Sequence, residues 1–332
     1  GKIEIKGKDA LAFMNLIYTN SFSKMKPGSS RYALMLGEDG MVKDDGIICK
    51  ISDEHFIATT TTGGAATVLG CMEEYAQTEW PNLNVYMNSI TEQYATFNIS
   101  GPKTRNIIEK VFPEVNFSNE AFPFMTFQFH EYEDTPIRIL RASFTGEMGY
   151  EIYVPSNQAL KIWEKIISFG KEFGLMPYGT ETMHILRAEK GYIIVGQDTD
   201  GSITPLDLGL DWMIGKSKKD FLGKRSLIRS DTVRKDRKQL VGILPTNKNE
   251  KLEEGQHIIL DKEIKTPTPM LGHITSCYQS PTLGHNFALA VIKNGQSLIG
   301  TKAFASTPEL KTIEVEIVEP IFYDKENTKL AS

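Results

Sequence analysis

Ile137-Arg-Ile-Leu-Arg-Ala-Ser-Phe-Thr-Gly146-Glu-Met-Gly149-Tyr-Glu151-Ile-Tyr-Val154 is the stretch on which the fold class turns. Apolar and polar residues alternate on both sides of a glycine pair. This predicts two strands, residues 137–144 and 151–154, joined by a glycine turn. The same period of two, rich in β-branched and aromatic residues, predicts strands over residues 2–5, 46–51, 56–60, 94–99 and 124–132. Helical spacing fills the gaps between them. Leu69, Met72 and Ala76 mark a helix over 65–78, and Pro102 opens another to 112 at the favoured first position. Leu160, Trp163, Ile166, Ile167 and Phe173 mark a third, and 180–190 a fourth, capped by Thr180. Strands and helices alternate without the crossover regularity of a doubly wound sheet, so the class is α+β.

One internal echo stands out. Ile5-Lys6-Gly7 leads into residues 9–17 as Ile99-Ser100-Gly101 leads into 103–111, each reading as strand, glycine turn, helix. It is either a common connection met twice or the duplication of one α+β unit.

Composition sets the bounds. The 332 residues carry 37 Lys+Arg against 42 Asp+Glu, a formal charge of −5, with 40% apolar and 10% aromatic residues. That describes a globular chain of about two domains by the usual length per domain, and excludes disorder, collagen and disulfide scaffolds. Cys49, Cys71 and Cys277 are widely spaced and form no CxxC pair, which fits a reducing cytosol better than a disulfide framework or thiolate zinc site. The longest apolar runs fall short of the roughly 18 residues of a membrane span, and no targeting pattern opens the chain. It begins at Gly1, directly in a strand pattern, as expected of a piece of a longer polypeptide.

Residues 216–238 hold ten Lys or Arg in 23 positions. Without interleaved aromatics, and in an acidic chain, this reads as a boundary with a solvated linker or partner-facing surface, not a nucleic-acid site. Beyond it, short strands separated by turn signals predict a compact all-β domain, a small barrel.

Common chemical fingerprints are missing. No GxGxxG follows a strand and no GxxxxGK[ST] occurs, which argues against a nicotinamide, flavin or nucleotide site in this chain. The six histidines show no metal-ligand spacing. Thr62-Gly63-Gly64 is either a backbone anion site or a plain strand-to-helix turn. Carboxylates in unusual places remain. Asp44-Asp45 precedes the apolar strand 47–51, as a turn-capping pair or as carboxylates at the mouth of a core. Glu147 and Glu151 flank a glycine turn, and Glu151 is either an edge charge or a buried ligand. Arg187 and Glu189, at i and i+2, do not face each other on their helix. By itself, Arg187 reads as an exposed helix arginine.

These strings together carry a resemblance. Arg31-Tyr32 with Leu36-Gly-Glu-Asp-Gly-Met-Val-Lys-Asp-Asp45, Phe144-Thr-Gly-Glu-Met-Gly-Tyr-Glu151, Leu186-Arg-Ala-Glu-Lys-Gly191, Gly272-His-Ile-Thr-Ser276 and Ser280-Pro-Thr-Leu-Gly284 resemble the aminomethyltransferase family of the glycine cleavage T-protein, in order along the whole chain. Thr59-Thr-Thr-Thr-Gly-Gly-Ala65, Gln77-Thr-Glu-Trp-Pro81, Tyr178-Gly-Thr-Glu-Thr-Met-His184 and Val195-Gly-Gln-Asp-Thr-Asp-Gly201 are similar to the C-terminal folate domain of heterotetrameric sarcosine oxidase α subunits.

The resemblance implies a multi-lobed folate-binding fold: an aminomethyltransferase-like region of two interleaved α+β lobes over residues 1–225 and a C-terminal β-barrel over 236–332. It implies tetrahydrofolate as cofactor, Asp45 as the catalytic aspartate near folate N10, and Tyr32, Glu151 and Arg187 as cofactor-binding residues, Glu151 holding the pterin. A carboxylate suits the paired donor edge of a pterin, and an aspartate can stabilise an iminium and assist proton movement. No metal is implied. The expected activity is trapping of the methylene unit from sarcosine oxidation as 5,10-methylenetetrahydrofolate. Flavoprotein subunits are the expected partners, with flavin and NAD on other parts of the complex. The alternatives are a stand-alone folate-dependent aminomethyl or methyl transferase and a non-catalytic folate-binding module. Gly40-Met41 stands where the T-protein has two glycines, and Lys43 where it is apolar, which weighs against the lipoyl-bound substrate of the T-protein.

Overall fold

The computed structural model describes residues 1–264 and 267–331. Strands β1 (Lys2–Lys6), β2 (Ser30–Leu36), β3 (Val42–Ser52), β4 (His55–Thr59) and β5 (Tyr86–Ser89) form an antiparallel sheet in the order β2-β3-β4-β1-β5. Helices α1 (Ala10–Ile17) and α2 (Ala65–Thr78) cover one face over a core that includes Ile5, Phe13, Met35, Ile48 and Phe56. Strands β6 (Tyr94–Ser100), β7 (Phe127–Tyr132), β8 (Thr135–Leu140) and β9 (Gly149–Pro155) form a second antiparallel sheet, β6-β9-β8-β7. Helices α3 (Thr104–Val111) and α4 (Ala159–Gly170) share its core with Ile139, Tyr150 and Ile152.

The two lobes repeat one plan. Strand order β2-β3-β4-β1 with α1 and α2 recurs as β7-β8-β9-β6 with α3 and α4. The turn into the first helix of each lobe needs a glycine at φ +136° (Gly7) and +130° (Gly101), which side chains rarely adopt. Reciprocal bonds join the lobes: Phe127 N–H donates to the Gly28 carbonyl, and Ser30 N–H to the Met125 carbonyl. The buried cations Lys50 and Arg141 take matching posts, donating to the Phe22 and Phe122 carbonyls. A chance recurrence of one turn would not carry the whole strand order and these paired bonds, so the topology favours duplication.

Helix α5 (Thr180–Glu189) leads to a closed barrel, β10-β13-β12-β11-β14-β15, made of β10 (Lys238–Pro245), β11 (His257–Ile259), β12 (Met270–Ser280), β13 (His285–Lys293), β14 (Lys302–Ser306) and β15 (Thr312–Val318). The short α6 (Thr328–Ala331) follows. The α+β class and the C-terminal barrel are as expected.

Several details differ from the sequence reading. Strand β2 carries no period of two because it is covered on both faces: Ala33 and Met35 pack in the first core, Leu34 and Leu36 against the barrel side. The strand expected from 124 starts at Phe127, after Met125 turns at φ 60°. Its neighbour ends at Leu140, short of 144, and the helix expected from Pro102 starts at Thr104. The cap of α5 is Gly179, without a side-chain cap bond, not Thr180. The basic run is no free linker: Phe221, Leu222 and Leu227 are buried, Lys218 Nζ donates to the Tyr18 and Asn20 carbonyls, and Arg237 is a buried partner of Asp207. Among the described residues no helix is long and apolar enough to cross a membrane.

Candidate functional site between the two sheets

The sheet faces turned away from the helices meet. Cys49 of β3 and Ile57 of β4 pack there against Leu140 of β8 and Tyr153 of β9, with Ile47 and Ile51 beside them. Side chains alternate between the faces of a strand, so Asp45 belongs to this interior from β3, and Arg138 and Glu151 from β8 and β9. Asp45 stands four residues from Cys49, about 13 Å along the strand.

Asp45 Oδ2 accepts a hydrogen bond from the Tyr32 hydroxyl at 2.5 Å, and Oδ1 lies 3.5 Å from the donor Thr61 Oγ1. Tyr32 opposes Ile47 in the β2–β3 pairing and reaches Asp45 diagonally. Burial raises the Asp45 pKa, and the two hydroxyl donors oppose the rise. Burial and the Asp45 charge hold the Tyr32 phenol well above its ordinary range, so it stays a donor. Asp44 points to the opposite, helix-covered face. It accepts the Thr61 N–H at 3.3 Å beside the start of α2, and burial pushes its pKa up to about 6 against the Thr61 bonds, with the Asp45 charge adding to the rise. A side-chain carbon on Gly64 would lie 3.2 Å from Asp44 Oδ1. The chain's own carboxylate therefore sits beside the Thr62-Gly63-Gly64 turn that sequence offered as an anion site, bonded to the Thr61 N–H.

Glu151 lies opposite Asn98 on one side and Leu140 on the other. Its Oε2 accepts the Tyr153 hydroxyl, and among the described residues Oε1 accepts no hydrogen bond. Burial raises its pKa; the Tyr153 bond and the charges of Arg138 and Lys2 pull the other way. Glu147 goes elsewhere, accepting from Tyr323 Oη and Lys329 Nζ.

Arg187 is fully buried, not exposed. It pairs with Asp198, donates to Ser276 Oγ at 2.7 Å and to the Tyr192 carbonyl at 3.0 Å, and so ties α5 to β12 of the barrel. Its Nη donors are spent on the chain itself, and among the described residues it makes no hydrogen bond or ion pair with Asp45 or Glu151. Asp198, Thr275 and Ser276 lie inside strings quoted above, yet sequence assigned them no role; Thr275 and Ser276 both donate to Asp198 Oδ1. Sequence also passed over Arg138 and Tyr153. The available signal was parity: Arg138 and Glu151 fall on the same face of neighbouring strands within the segment that decides the fold.

Twin α+β lobes thus meet over buried carboxylates, with a barrel tied to them by a buried arginine. Residues 1–218 match the GCVT N-terminal domain and residues 238–324 the glycine cleavage T-protein C-terminal barrel domain. A sarcosine oxidase subunit alpha of Corynebacterium sp. (strain P-1) is 47% identical over 99% of this chain and 34% of its own length. An aminomethyltransferase of Thermoanaerobacter pseudethanolicus is 30% identical over 99% of this chain and 85% of its own. The crystal structure of the glycine cleavage system aminomethyltransferase T from Bartonella henselae superposes with a TM-score of 0.83 at 22% identity, covering 98% of this chain and 84% of that one. The chain belongs to the glycine cleavage T-protein family. It spans about a third of the length of the sarcosine oxidase α subunits it matches.

Proposed function

We propose that the chain is a tetrahydrofolate-binding, one-carbon-transfer domain of a sarcosine oxidase-type complex, taking up the methylene unit of sarcosine oxidation to yield 5,10-methylenetetrahydrofolate. The observation that carries this reading is a pair of carboxylates turned into one interior from opposite sheets: Asp45 under a tyrosine donor, and Glu151 with an unengaged Oε1. The donor set fits the cofactor. A pterin offers an amino group and a ring N–H side by side, and Glu151 is the acceptor such an edge requires. Tetrahydrofolate supplies the nucleophilic nitrogens for the one-carbon unit.

Asp45, with a raised pKa, is suited to hold or move a proton near folate N10 and to stabilise positive charge there. Tyr32 and Thr61 orient its carboxyl group. Arg187 is a positioning residue in this reading, fixing α5 and Tyr192 through the barrel. Flavin and NAD belong to other parts of the complex, in keeping with the chain's share of its longer relatives.

Calorimetric titration with 5-formyltetrahydrofolate tests the site. Binding that Glu151→Ala removes and Asp45→Asn retains supports it; wild-type protein that binds no reduced folate, alone or with its flavoprotein partners, refutes it.

A further inference from the structure

Arg138 is the strangest charge in the interior. It is 4% exposed, lies opposite Tyr153 in the β8–β9 pairing, and carries its guanidinium 4.0 Å from the centre of the Tyr153 ring. Among the described residues it makes no hydrogen bond or ion pair, and its Nε is buried without a partner. Arginine brings five N–H donors, and an uncompensated guanidinium in a protein interior is unfavourable. Arg141 and Arg187 also bury an Nε that makes no hydrogen bond, but the other buried arginines spend their Nη donors: Arg187 and Arg237 on an aspartate, Arg141 on Asn119 Oδ1 and the Phe122 carbonyl.

Tyr153 links this cation to Glu151. Its ring lies under the guanidinium while its hydroxyl donates to Glu151 Oε2. On this sheet Arg138 is the diagonal neighbour of Glu151, yet no ion pair closes between them. An acceptor carboxylate and an unspent donor cluster therefore sit side by side, held by one tyrosine.

We infer that Arg138 is a specificity-determining residue that receives an acceptor atom of the ligand next to the donor edge taken by Glu151, which selects a 4-oxopterin over a 4-aminopterin ring. The inference rests on the folate reading and deepens it. In a 4-oxopterin the ring N–H is flanked by a carbonyl oxygen, so a donor edge and an acceptor are adjacent. A 4-amino group puts donors where the guanidinium already presents donors, and leaves the buried cation unsatisfied. The Tyr153 ring keeps the guanidinium in place before the ligand arrives, which lowers the ordering cost of binding.

The test is calorimetric titration of the full chain with folate and with 4-amino-4-deoxyfolate, which share an oxidation state; the 4-amino ring lacks the N3–H as well as the carbonyl, so the part of the preference due to Arg138 is read as the change in the ratio of the two affinities between wild type and variant. A hydrogen bond from a charged donor predicts a preference for folate on the order of 10- to 100-fold. Arg138→Met narrows the preference to the part that Glu151 supplies, and Arg138→Lys keeps more of it, with folding checked by thermal melting. Equal affinities in the wild type, or an unchanged preference in Arg138→Met, overturn this inference while the folate reading stands. Wild-type protein that binds neither these nor 5-formyltetrahydrofolate overturns both.

Discussion

The two α+β lobes share one topology and differ in what they turn toward each other. Aligning them through Gly7 and Gly101 sets Ile57 against Glu151, Cys49 against Leu140, and Ile47 against Arg138. The first lobe lines the shared interior with apolar side chains and places its acid, Asp45, toward the far end of β3. The second puts an acid and a base at the centre. One backbone plan thus supports both an apolar wall and a charged wall, and the difference lies in a few positions of fixed parity. The buried cations Lys50 and Arg141, which hold equivalent loops in both lobes, mark the part of the plan that stayed symmetric.

Asp45→Asn is the change that most sharpens the asymmetry. On the proposed function, loss of this group lowers methylene transfer by about 10²- to 10⁴-fold, with binding of 5-formyltetrahydrofolate nearly unchanged, read in a coupled transfer assay and by calorimetry. Equal losses of both would move Asp45 from chemistry to binding. Arg187→Ala leaves Asp198 buried without its cation and costs about 3–5 kcal/mol of stability, seen as a lower urea midpoint. A surface role would leave that midpoint where it was.

Glu151→Ile gives the second lobe the residue of the first. Pterin binding falls by about 3 kcal/mol, from loss of charge-assisted bonds. The native protein holds the Glu151 proton more tightly than the unfolded chain, so its ionisation costs folding free energy as the pH rises above the ordinary glutamate range. The variant should therefore lose less stability than wild type between pH 4 and pH 8 in denaturant titrations.

Asp44 gives the smallest effect of the four. Its pKa of about 6 lies above the ordinary 3.8, so the folded state binds the extra proton between those values. Stability falls as pH rises through that window, by about 3 kcal/mol at most, and is flat above it. Asp44→Asn should flatten the slope between pH 4 and pH 6 while keeping the Thr61 N–H bond. An unchanged slope would show that Asp44 is ionised in the folded protein at low pH.

Strands with one wet or loosely packed face were legible because alternation survives there, as in β1 and β6; β4 and β9 are buried on both faces and were legible because polar residues still punctuate them. Strand β2 was not, because both its faces are buried and nothing polar marks the period. The short β5, mostly exposed at a sheet edge, lacked an apolar pattern to read. Arg187 illustrates a different limit: one arginine on a helix is written the same way whether solvent or Asp198 faces it, and Asp198 is eleven residues away.

By itself, the sequence determined the α+β class, the terminal barrel, the family resemblance and the identity of the acids, since periodicity, turn chemistry and ordered motifs are local properties of the chain. The tertiary structure alone decided that Asp45 and Glu151 look into one interior, that Asp44 does not, and that Arg138 stands there against the Tyr153 ring with no hydrogen bond or ion pair among the described residues. Those facts depend on how two sheets meet across long sequence separations, and local spacing carries no information about which face meets which.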